Sequence, residues 1–190
     1  MSICLIVANT EKVIAPLSEI LMQSGFFDIE VQSSAASARR TLLDKEYDMI
    51  IINTPLSDET GIDLSIDICE NYECGVLLLV KAESADQIQE RVEEFGVFVV
   101  PKPLNRQVFF SAVKFVMASR RRILAAREKE NVLLNKIEDI KIIDRAKCCL
   151  IEYRNMTENE AHRYIEKQAM DQRKLKRSIA DEILQKYKIK

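Results

Sequence analysis

The sequence predicts an α/β fold followed by a small all-α unit. Three observations carry that expectation. Short apolar runs alternate with amphipathic helical stretches over the first part of the chain, which is the pattern of a parallel sheet covered on both faces. Gly and Pro number only 4 each, which argues against disorder and long flexible linkers. The charge is split: residues 1–117 hold 9 Lys and Arg against 18 Asp and Glu, whereas residues 118–190 hold 19 against 12. The overall net charge of −2 therefore hides an acidic body and a basic tail. Such asymmetry points to one half that meets a polyanion and one that does not.

In chain order, Ile3–Ala8 reads as a strand ending at Asn9-Thr10. Val13, Leu17, Ile20 and Leu21 then share one helix face, and Gly25 closes the helix. A short strand follows at Ile29–Gln32 and a helix at Ala35–Leu43. Met49–Ile52 is a continuous apolar run, expected of a strand buried on both faces. Leu64–Tyr72 reads as a helix, Val76–Val80 as a second buried strand, Ile88–Phe95 as a helix and Val97–Val100 as the last strand. Asn105 starts a long helix. Ligands of such sheets sit at the carboxyl ends of the strands, which directs attention to Ala8, Asn9, Asn53, Lys81 and Lys102.

From Gln107 to Glu138 there is neither Pro nor Gly. One heptad track reads Val113, Met117, Arg120, Leu124, Arg127, Asn131, Leu134, polar at three of seven places. It describes a helical linker that can pair with a second copy, with Asn131 setting register. The basic half then reads as three helices. The first, ending near Tyr153, carries Ile142, Ala146, Cys149 and Leu150. Arg154-Asn155 is a turn, and Thr157 with Glu160 forms a capping box. Asp171 is expected to cap the third helix, which carries Leu175, Ile179, Ala180, Ile183 and Leu184. Each helix is too short to stand alone, so a shared core is expected.

Other classes find little support. Enzyme motifs are missing: there is no Gly-rich phosphate loop and no metal-binding His pair. The one His leaves no zinc set, so neither metal nor cofactor is expected. Five cysteines without CxxC spacing fit free thiols in a reducing cytoplasm. The opening residues lack a basic leader, and no apolar run is long enough to cross a bilayer.

Residues 1–118 resemble a response-regulator receiver domain, a five-stranded parallel, flavodoxin-like sheet. The resembling marks are Asp48 five residues before the end of the third strand, Pro55 and Gly61 after it, and Lys102-Pro103 after the fifth. The resemblance implies a magnesium-binding acidic pair after the first strand and a phosphoryl-accepting Asp at the end of the third. The acidic pair falls on Ala8 and Asn9, the acceptor on Asn53, and the usual Ser/Thr after the fourth strand on Lys81; only Lys102 is kept. A magnesium site relies on carboxylates, and an Asn amide is a poor nucleophile. A receiver that does not take phosphate is expected, serving dimerisation or binding a partner protein or ligand. Asp58, Asp48 and Glu11 are the alternatives for a displaced acceptor, and a phosphotransfer protein would be the corresponding function.

Residues 135–190 resemble an ANTAR domain, the three-helix RNA-binding module of transcription antiterminators. The resembling residues are Ala146-Lys147 with Leu150, Met156-Thr157, Glu160-Ala161, Ile165, Ala169-Met170, Arg173, Leu175, Ala180 and Ile183-Leu184. Cys148 replaces the usual Gly, and His162 the usual aromatic, whose packing role it is expected to take. Residues 119–134 are the helical linker. The resemblance implies binding to RNA hairpins in a leader transcript. Lys141, Arg145 and Lys147 on the first helix and Arg173, Lys174, Lys176 and Arg177 on the third are the expected RNA contacts. Tyr153, Arg154 and Tyr164 can supply stacking for splayed bases. A homodimer without membrane contact is expected. The rival readings are a DNA-binding transcription factor and a pure protein-interaction module.

Overall fold

The computed structural model describes residues 2–187. Five parallel strands form one sheet in the order β2-β1-β3-β4-β5. They are β1 (Ser2–Val7), β2 (Phe26–Gln32), β3 (Met49–Asn53), β4 (Gly75–Lys81) and β5 (Phe98–Lys102). The helices are α1 (Glu11–Ser24), α2 (Ala35–Asp44), α3 (Ile62–Asn71), α4 (Ala85–Val92), α5 (Arg106–Arg154), α6 (Glu158–Gln172) and α7 (Lys176–Lys186). None is long and apolar enough to cross a membrane among the described residues.

Period-two burial explains the layering. Cys4 and Ile6 face one side with Met49, Ile51, Leu77 and Leu79, where α1 and α5 deliver Leu17, Leu21, Phe109 and Val113. Leu5 and Val7 face the other with Ile50, Ile52, Leu78 and Val80, against Ala38, Leu64, Ile68 and Val92 of α2, α3 and α4. Every residue of β3 is buried, as a strand covered on both faces requires. The chain order reverses between β1 and β3, so the crevice at their carboxyl ends is where a doubly wound sheet binds ligands.

The chain divides into two compact units, the first ending at Leu124 and the second starting at Ala125. The boundary falls inside α5, so a helix rather than a loop joins the units. In the second unit, Ala146, Cys149 and Leu150 of α5 meet Ala161, Ile165 and Ala169 of α6 and Ile179, Ala180, Ile183 and Leu184 of α7 in one core.

Several sequence expectations are corrected. The second strand starts at Phe26, not Ile29. The stretch Ile88–Phe95 is the end of α4 plus a 3-10 turn over Glu93–Phe95. The fifth strand continues through Pro101 to Lys102; as the edge strand it tolerates a missing N–H. The first helix of the basic half is not separate but the end of α5. Asp171 lies inside α6 and caps nothing; Leu175 occupies the N-cap of α7.

Candidate functional site

At the carboxyl ends of the strands, Asn53 closes β3 and is 5% exposed. Lys102, the last residue of β5, donates from Nζ to Asn53 Oδ1 at 3.2 Å and to the Thr54 carbonyl. Lys81 ends β4 in register with Lys102, so parallel pairing brings the two ammonium-bearing residues side by side. Burial first, and then the Lys81 charge, pull Lys102 below the ordinary lysine value. Ala8 is buried, its N–H donating to the Gln32 carbonyl at 2.9 Å. Asn9 is exposed and accepts from the Thr10 hydroxyl at 2.9 Å. The crevice thus gathers two lysines and neutral amides. That donor set suits an anion or a carbonyl better than a hard dication.

Of the three alternative carboxylates, Asp58 and Asp48 are engaged by hydrogen bonds, whereas Glu11 follows the Ala8-Asn9 end of β1. Asp58 accepts from the Ala35 and Ala36 N–H groups, each at 2.9 Å, at the start of α2. Those bonds hold its carboxyl below the usual value. Beside it, Ser34 and Ser37 complete a reciprocal cap. Asp48 precedes β3, at the amino-terminal edge of the sheet, and accepts from Ile3 N–H at 2.8 Å and Arg120 Nη1 at 2.7 Å. Glu11 stands exposed in the first turn of α1.

The basic unit distributes its charges differently from the sequence expectation. Arg173 and Lys174 are not on the third helix. Arg173 terminates α6 in the left-handed region, φ 52°, so it shares no helix face with Arg177. No Gly follows α6 to take that conformation, and Arg173 N–H closes the helix on the Met170 carbonyl at 3.2 Å. Lys147 is 15% exposed at its side chain, between Asp144 at 2.8 Å and Glu158 at 3.2 Å. Lys174 meets Glu182 at 2.5 Å and Lys176 meets Glu166 at 2.5 Å. Arg177 meets Asp139 at 2.7 Å. Lys141 and Arg145 are exposed on α5. His162 does not pack inside; it is exposed, with Nε2 3.3 Å from Glu166.

Sequence reasoning missed Arg163 and Lys167, exposed and one turn apart on α6. Among the described residues neither has an acid partner, and the same holds for Lys141 and Arg173. Their spacing was readable, but only the fold decides which cations are already neutralised. Of the aromatics, Tyr153 stacks on Tyr187 with ring centroids 4.8 Å apart and planes at 14°. Arg154 donates from Nε to the Tyr187 hydroxyl at 3.0 Å and lies 5.2 Å from the Tyr164 centroid.

The receiver heptad places are also occupied. Val113 and Met117 pack on the sheet, and Arg120 binds Asp48. Beyond them, Ile123, Leu133, Leu134, Ile137 and Ile140 are exposed on α5.

Comparison with known proteins bears on both units. The profile of the response regulator receiver domain matches residues 4–114, and that of the ANTAR domain matches residues 132–184. The transcriptional regulatory protein PdtaR of Mycobacterium tuberculosis (strain H37Rv) is 23% identical over 172 residues, which cover 89% of this chain and 82% of that protein. Protein PetR of Rhodobacter capsulatus is 30% identical over 102 residues, 53% of this chain and 42% of that one. Among solved structures, the signal receiver domain of an HD domain-containing protein from Pseudomonas fluorescens Pf-5 superposes with a TM-score of 0.58. It is 20% identical and covers 67% of this chain and 92% of that chain, a likeness of fold. With the sheet order, the strand-end crevice and a receiver match over more than half its length, the chain belongs to the response regulator receiver family, and carries an ANTAR domain behind the receiver.

Proposed function

We propose that this chain is a non-enzymatic, cytoplasmic antitermination regulator that binds RNA hairpins in nascent leader transcripts. The observation that carries the reading is the coincidence of the ANTAR match, residues 132–184, with the basic half of the chain. Cations gathered on one folded unit raise the local potential and attract phosphates. Lys141, Arg163, Lys167 and Arg173 are among its exposed cations that have no acid partner among the described residues. Lys147, Lys174, Lys176 and Arg177 reach RNA only by exchanging an acid partner for a phosphate, and Arg145 joins them from the exposed side of α5.

The proposed organisation is a receiver over 1–118, a linker over 119–134 and an RNA-binding domain over 135–190. In this reading the receiver is degenerate. With Ala8, Asn9 and Asn53 in place of carboxylates, it neither holds magnesium tightly nor accepts a phosphoryl group, and it serves dimerisation or partner sensing. The exposed apolar residues of α5 between Ile123 and Ile140 support pairing with a second copy.

The test is hairpin binding by the full chain across a salt series. Affinity is expected to fall steeply with salt, because neutralised phosphates release counterions. Equal, sequence-blind binding to duplex DNA would overturn the reading in favour of a DNA-binding factor.

A further inference from the structure

We propose that Tyr153, backed by Tyr187, is a docking platform for one unpaired purine of the RNA loop. The inference rests on the hairpin-binding reading and adds the place where a base is held. Three helical elements build the platform. Tyr153 is in the last turn of α5, Tyr164 is on α6, and Tyr187 directly follows α7.

Tyr164 and Tyr187 are half-buried against the core of the unit. Tyr153 is 53% exposed. Its ring is nearly parallel to that of Tyr187, so one face is covered, while the residue as a whole keeps about half of its surface in solvent. Arg154 locks the arrangement by donating to the Tyr187 hydroxyl while its guanidinium lies over Tyr164. The ring is therefore held before anything binds. A tyrosine has few torsions left to freeze, so it offers contact area at low entropic cost.

The chemistry of the surround fits a nucleotide. A base has a π face that extends the Tyr187–Tyr153 stack by one layer. Exposed Lys186, next to Tyr187 in sequence, and exposed Lys167, one turn along α6 from Tyr164, are cations that these elements offer to the sugar-phosphate backbone. A purine presents the larger stacking area.

The experiment uses the full chain and a hairpin carrying 2-aminopurine at each loop position in turn. Binding is expected to quench one position. Tyr153→Leu keeps apolar bulk without a π face. It is expected to weaken binding about 5- to 150-fold, as loss of one base stack does, and to abolish the quench. Tyr153→Phe keeps both. An abasic nucleotide at the quenched position is expected to weaken the unaltered protein equally, which removes folding of the variant from the argument. A parent protein that binds the hairpin while Tyr153→Leu equals it in affinity and quenching overturns the platform alone. A parent protein that binds no hairpin at low salt overturns the platform together with the hairpin reading.

Discussion

Arg120, on the long α5, places Nη1 2.7 Å from Asp48 Oδ1, and the other Asp48 oxygen accepts from Ile3 N–H at 2.8 Å. Arg120 Nε also donates to the Glu73 carbonyl at 2.9 Å. One guanidinium thus ties α5 to the segments that lead into β3 and β4, and Asp48 adds β1. Both side chains are three-quarters or more buried, so solvent screens the pair less than a surface pair. Arg120→Ala is expected to lower the stability of the first unit by about 1.5–3 kcal/mol, the range for hydrogen bonds to charged groups. Arg120→Lys recovers only part, since an ammonium lacks the fork that serves both acceptors. Urea unfolding of the two variants checks this; unaltered midpoints in both would remove the anchor.

That pair also shows what a sequence conceals. Met49–Ile52 and Val76–Val80 declared themselves as buried strands because burial on both faces leaves no polar residue in the run. The Thr157–Glu160 cap was equally readable, and the structure contains it, with Thr157 N–H donating to Glu160 at 2.8 Å. Asp48 and Arg120 stand 72 residues apart, and no local pattern joins them. The end of α6 was missed for a different reason. Its stop depends on Arg173 adopting a left-handed conformation that Gly usually takes, so no residue type flagged it. At the candidate sites, residue identities exposed the absent carboxylates of the crevice. Which lysines are neutralised by Glu158, Glu166 or Glu182 is a fact of packing alone.

Asp58 gives a pH-dependent contrast. Its folded value is depressed below the ordinary 3.8 by the Ala36 and Ala35 amides, the Ala36 bond being the larger cause. A depressed carboxyl contributes stability that is present above the unfolded value and lost as pH falls through the folded one. Asp58→Ala is therefore expected to be less stable than the parent at neutral pH. The two proteins should converge in acid, below the ordinary carboxyl value. Paired melting curves from neutral pH into acid check this; a constant gap would mean that the charged carboxylate is not what holds the start of α2.

The crevice makes a second chemical prediction. With acetyl phosphate and magnesium, the parent protein is expected to show no phosphoryl addition by intact mass. Asn53→Asp alone should also fail to bind magnesium tightly, because Ala8 and Asn9 still supply no carboxylate. Its new carboxylate would instead pair with Lys102, whose Nζ already reaches Asn53, and raise the lysine from its depressed value. Combining Ala8→Asp, Asn9→Asp and Asn53→Asp should create measurable magnesium binding by calorimetry. Phosphoryl addition to the parent, lost when Asp58 becomes Ala, would restore the displaced-acceptor alternative.

Arg173 and Lys147 separate RNA contact from stability. Lys147 joins α5 to the first turn of α6 through Glu158. Its acid partners are exposed, but the Lys147 side chain is mostly buried, so Lys147→Ala loses packing as well as ion pairs and is expected to cost about 0.5–3 kcal/mol. Arg173 has no acid partner among the described residues and holds a left-handed backbone. Arg173→Gly removes the steric cost of that conformation, about 1–2 kcal/mol for a residue with a Cβ, part of which the greater freedom of unfolded Gly offsets. The variant should melt slightly higher than the parent. Yet it loses a cation, so hairpin affinity should fall and the log–log salt slope should shrink by about one unit. Opposite signs in stability and affinity distinguish an RNA contact from a structural residue. A variant that melts higher and keeps both the parent affinity and the parent slope would place the RNA surface away from the α6–α7 turn.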